Sequence, residues 1–72
     1  MKEYSRIVIE NYCRTHNRSK KSAFLLNLVD LSYTLDREPE DWEALRLAQY
    51  IDREKDPELK EALEDLDDYL FR

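Results

Sequence analysis

The sequence predicts an all-α domain of three to four short helices, arranged as a small helical bundle or as a homodimer of helical hairpins. Three observations carry this. Apolar residues recur at spacings of three and four along most of the chain. Both prolines, Pro39 and Pro57, sit just ahead of such a stretch and are followed by acids. The stretch from Ala23 to Leu35 is mostly apolar, and its few polar residues fall on one helical line.

The first element spans Glu3 to about His16. Glu3, Arg6, Glu10 and Arg14 share one helical face, with Tyr4, Ile7, Val8 and Tyr12 opposite as the expected inner side. Residues 6–9 could form a short strand, but no alternation or following turn signal supports one, so helix is preferred. Asn17, Arg18 and Ser19 break this element, and Ser19 or Ser22 is available to cap the next. The second helix, Ala23 to Leu35, is the most apolar. Asn27, Asp30 and Thr34 leave it only a thin polar stripe, so it needs cover on several sides.

The third helix is expected to open at Pro39, with Glu40 and Asp41 complementing its dipole, and to run to about Lys55. Ala44, Leu47, Ala48 and Ile51 form its expected inner stripe, flanked by Trp42, Leu45 and Tyr50. The fourth helix, about 57–71, is the clearest. Asp56 is the cap, Pro57 the first helical residue and Glu58 a first-turn acid. Leu59, Ala62, Leu63, Leu66, Tyr69 and Leu70 make one apolar stripe.

The 72 residues make one domain, 1–72, with no linker, repeat or low-complexity stretch. A chain this short buries only about 60% of its extended surface, and small domains compensate with disulfides, metal or a partner. A single Cys forms no internal disulfide, which fits a reducing, cytoplasmic setting. No signal-like leader and no apolar run of about 18 residues is present, so no membrane association is expected. The expected compensation is a partner: a second copy or a larger protein.

Several chemistries lack material. With no glycine, phosphate-cradling loops, dinucleotide fingerprints and nucleophile elbows have no residue for their special backbone positions. Cys13 and His16 share a helix face, but no other Cys or His exists to complete a zinc site. The expectation is therefore no catalytic residue, no cofactor and no metal.

Charge is the most informative feature. The net charge is −5. Residues 1–28 carry six basic residues against two acidic ones, a net +4, and residues 29–72 six against fifteen, a net −9. Glu58, Glu61, Glu64, Asp65, Asp67 and Asp68 crowd the last helix. Glu61/Asp65 and Glu64/Asp68 are like-charge pairs at four-residue spacing, and Asp65, Asp67 and Asp68 lie near a helix C-terminus, where cations are favoured. A face selected for stability alone would mix in lysine. The expected role is docking on a basic surface, either the Arg14–Lys21 segment of this chain or of a second copy, or a foreign groove; the alternative is a solvated helix face. Trp42 and Phe71, placed where burial is incomplete, are the expected apolar anchors.

Together these features point to a small acidic, non-enzymatic regulator that binds and inhibits or modulates a larger protein. Inhibitors carried by phages or mobile elements, including nucleic-acid mimics that occupy a basic groove, have this physical profile. A second reading starts from Arg14, Arg18, Lys20 and Lys21, which suit phosphate contacts. The order short segment, helix, polar turn, helix, with Asn17, Arg18 and Ser19 at the turn, resembles the core of ribbon-helix-helix repressors over about residues 4–35. That resemblance implies an antitoxin or repressor that binds DNA through the basic segment and a toxin through the acidic half. The chain departs from the pattern in lacking the alternating N-terminal strand that reads bases.

Overall fold

The computed structural model describes residues 1–72 and contains four helices: α1 (Glu3–Thr15), α2 (Lys20–Thr34), α3 (Asp41–Arg53) and α4 (Pro57–Phe71). They form an all-α bundle in which α1, α2 and α3 all touch α4. No helix is long and apolar enough to cross a membrane.

Local chemistry sets the helix ends. Ser19 caps α2: its hydroxyl accepts from the Ser22 amide at 3.0 Å, so α2 begins at Lys20, ahead of the expected Ala23. Asp56 caps α4 by accepting from the Glu58 amide at 3.0 Å, with Pro57 as first helical residue, as anticipated. The start of α3 differs from expectation. Pro39 lies outside the helix, Glu40 is the extended cap residue, and the Glu43 carboxylate reaches back to the Glu40 amide at 2.9 Å. This acidic capping box, rather than the proline, fixes the first turn. Leu35 closes α2 in the left-handed region, at φ 48°, with its amide bonded to the Leu31 carbonyl at 2.8 Å.

The core joins Ile9 and Cys13 of α1, Phe24, Leu25, Leu28 and Val29 of α2, Leu47 of α3, and Leu59, Ala62, Leu63 and Leu66 of α4. The expected inner face of α1 is corrected. Its buried stripe is Ser5, Ile9 and Cys13, four residues apart, while Val8 and Tyr12 are half-buried and Tyr4 and Ile7 face outward. The polar members of the stripe face polar groups: Ser5 lies beside the Asp65 carboxylate, and the Cys13 thiol donates to the Ser22 carbonyl at 3.6 Å. On α3, Leu47 is buried and Ala44 and Ile51 partly so, but Ala48 is exposed and Glu43 takes the remaining inner position. Glu43 is tolerated there because Arg37 grips it with two bonds of 2.8 Å.

The apolar helix α2 is covered by the chain's own helices. Phe24, Leu25, Leu28, Val29 and Leu31 are buried, while Leu26 and Tyr33 remain about half exposed. Its exposed face is wider than the Asn27–Asp30–Thr34 line, because Leu26 and Tyr33 lie on the outer side of the α1–α2 seam. The Arg6 guanidinium covers the Tyr33 ring at 4.1 Å.

Candidate functional site: the carboxylate face of α4

Helix α1 runs antiparallel to α4. The Lys2 amide, just before α1, donates to Asp65 Oδ2 at 2.9 Å, and Thr15 at the other end shares a groove with Asp56. The thirteen residues of α1 span about 20 Å at 1.5 Å per residue. Asp65, Asp67 and Asp68 therefore lie at one end of the bundle and the Arg14–Lys21 segment at the other. That separation is more than twice the ~8 Å screening length at physiological salt, so the two ends act as independent charge patches.

The six carboxylates of α4 fall into distinct environments. The Tyr4 hydroxyl donates to Glu58 Oε2. Asp65 is half-buried against α1. Burial pushes its carboxyl up, but the Lys2 amide and the Ser5 hydroxyl outweigh that and hold it below the usual carboxylate range. Arg72 Nε lies 3.3 Å from Asp67 and 3.6 Å from Asp68, and at the α1 side Lys2 and the N-terminal amine lie near Asp65. Glu61 and Glu64 are exposed and have neither a hydrogen bond nor an ion pair. With Asp68 they form the outermost line of the helix. Asp65 is thus a tie between α1 and α4, a role its position in a charge run did not signal.

No ion pair links this face to the basic segment. Lys21 pairs instead with Glu54, just past α3, at 2.8 Å, and lies 4.9 Å from the Tyr12 ring and 5.5 Å from the Tyr50 ring. Burial alone would lower its pKa, but Glu54 holds it above the ordinary lysine value. Glu54 is correspondingly kept below its ordinary value: burial opposes the charge, and Lys21 and the Asp56 amide overcome it. Lys21 is therefore a clamp between α2 and the α3–α4 turn. Arg14, Arg18 and Lys20 are exposed and unpaired. Where a ribbon-helix-helix protein has its base-reading strand, this chain has α1.

The two anchor candidates differ. Trp42 is about half exposed, its ring packed at 6.0 Å on Phe24 and its Nε1 donating to Glu40 at 3.2 Å. Phe71 is half-buried against the core. Cys13 and His16 do not converge: the thiol points inward, and His16 is exposed and stacked on Tyr12 at 4.2 Å. Burial raises the Cys13 thiol pKa, which is the environment of an inert thiol. Leu45, about two-thirds exposed, and Tyr4 and Ile7 were expected to pack at or near the inner faces of their helices and were not among the expected site residues. The chain matches no family model, no curated protein and no solved structure.

Proposed function

We propose that this chain is a non-enzymatic acidic binding module that docks on a basic surface of a larger protein through the outer face of α4 and so blocks or adjusts that protein. The observation that carries the reading is the unpaired state of Glu61 and Glu64. Their like-charge spacing with Asp65 and Asp68 works mildly against the helix. The chain's own basic segment lies too far away to compensate the C-terminal half of the face. A row of unopposed carboxylates on a rigid helix suits a groove built to hold phosphates, which is the profile of a phage-type inhibitor or nucleic-acid mimic acting in the cytoplasm.

The test is affinity purification of the tagged chain from its host beside the Glu61→Lys/Glu64→Lys variant. The expected result is a partner with a basic face that co-purifies with the wild type, is released by salt, and is missing from the variant. Equal recovery by both would refute the reading.

A further inference from the structure

Beside the carboxylate row runs an apolar groove. It follows the seam between α1 and the first turns of α4 and has a volume of about 390 Å³. Ile7, Val8, Tyr12 and Leu59 give its apolar lining, with Asn11, Thr15 and Asp56 as polar lining and Glu58 on its α4 side. Ile7 is 45% exposed and Tyr4 63%, although both sit in a helix whose opposite face is core. A second, smaller recess of about 110 Å³ adjoins it, lined by Glu58, Glu61 and Asp65 and by Lys2, so three carboxylates there face one ammonium and the recess stays net negative. Tyr4 and Glu58 border both, and the hydrogen bond between them forms the saddle where apolar groove meets acidic recess.

Resting on the acidic-docking reading above, we propose that this seam is the specificity element of the docking surface. It takes an amphipathic helical segment of the partner, whose apolar side chains lie in the groove over Ile7 and Val8 while an adjacent Arg or Lys enters the Glu58–Glu61–Asp65 recess. The chemistry selects this occupant. The apolar floor needs aliphatic side chains, the acidic recess needs a cation, and residues three or four apart on one helix face lie about 5–6 Å apart, which suits neighbouring sites of these two kinds. An anionic lipid surface is repelled by the carboxylates. A second copy carries exposed Leu45 and Arg46 on α3, so a dimer of the chain alone in sedimentation, broken by Ile7→Glu, would overturn the foreign-helix occupant.

The experiment titrates the full chain with a synthetic helical peptide carrying Leu at three- and four-residue spacing flanked by Arg, beside a Leu-free lysine peptide of equal charge. Ile7→Glu is the informative variant. It adds negative charge, so attraction by charge alone would strengthen or stay level, whereas a blocked groove weakens binding. The expected result is at least tenfold weaker binding of the Leu/Arg peptide to Ile7→Glu and to Glu61→Lys, with the lysine peptide unaffected by Ile7→Glu. Amide shifts on the wild type, which do not depend on any variant folding, should move at Val8, Asn11 and Leu59.

Unchanged binding to Ile7→Glu, or shifts confined to the Leu26–Tyr33 face, would overturn the groove. Loss on Glu61→Lys alone would overturn the groove while leaving the acidic-docking reading standing. Insensitivity to both variants would remove both.

Discussion

Replacing Glu61 and Glu64 with lysine separates a binding face from a folding face. Both residues are exposed on the outer line of α4 and have no partner. The double change turns the like-charge contacts Glu61/Asp65, Glu64/Asp68, Glu58/Glu61 and Glu64/Asp67 into opposite-charge ones. It turns the attraction between Lys60 and Glu64 into a repulsion, and positions 61 and 64 go on repelling each other, now as two cations. Such pairs are worth about 0.2–0.5 kcal/mol each on a helix surface, less once salt screens them. The balance is a gain of about 0.5–1 kcal/mol, or a rise in Tm of roughly 2–8 °C for a domain of this size. Thermal unfolding followed by circular dichroism at 0.15 M salt reads it. Asp65→Lys is the internal contrast: it removes the acceptor of the Lys2 amide and the half-buried carboxylate beside Ser5, and should lower Tm. A fall in Tm for the Glu61/Glu64 double variant would show that those carboxylates serve the fold, and the reasoning that assigns them to a partner would fail.

Three further outcomes follow from the same contacts. Leu35→Gly should stabilise the domain by about 0.5–1 kcal/mol, since Leu35 occupies the left-handed region at φ 48° with its side chain exposed; an unchanged or lower Tm would mean the leucine side chain contributes more than its strain costs. Glu43, Glu54 and Asp65 all have folded-state pKa values below their ordinary ones, Glu43 chiefly through its hydrogen bonds with Arg37. Their stabilisation is therefore complete above the unfolded carboxylate range of about 4 and is lost as pH falls through the lower folded values, so urea midpoints should be flat from pH 7 to 5 and drop below about 4. Random duplex DNA should not bind appreciably at physiological salt, because the net charge of −5 opposes the exposed Arg14, Arg18 and Lys20; a gel shift at submicromolar protein that is abolished by Arg18→Glu would favour the repressor reading instead.

The four helices were legible because their signals are local: Ser19, Asp56 and Pro57 act within one turn of themselves, and the Leu59–Leu66 stripe needs only helical spacing. The face that α1 buries was not legible. Size and hydrophobicity favoured Tyr4, Ile7, Val8 and Tyr12, yet Ser5 and Cys13 flank Ile9 inside because small side chains fit at a close helix contact once their polar atoms find Asp65 and the Ser22 carbonyl. Those acceptors lie on other helices, so no local pattern announces them. The same holds for α3. Ala48 looks interior by composition, but the Arg37–Glu43 pair, closed through a loop, turns Glu43 inward instead. Within the acidic run, the sequence shows six similar carboxylates; only the packing of α1 distinguishes Asp65, tied to the fold, from Glu61 and Glu64, which face outward unpaired.

The central claim is that these outward carboxylates recognise a basic surface, and a charge-swap cycle on the purified complex tests it most directly. Calorimetric titration would compare the wild-type pair, the Glu61→Lys/Glu64→Lys chain with the wild-type partner, and the same chain with a partner whose facing Lys or Arg residues are changed to Glu. The account predicts a loss of at least tenfold in affinity for the single-sided reversal and recovery of most of it when both sides are reversed. Affinity that is unchanged by the first reversal, or not recovered by the second, would contradict it.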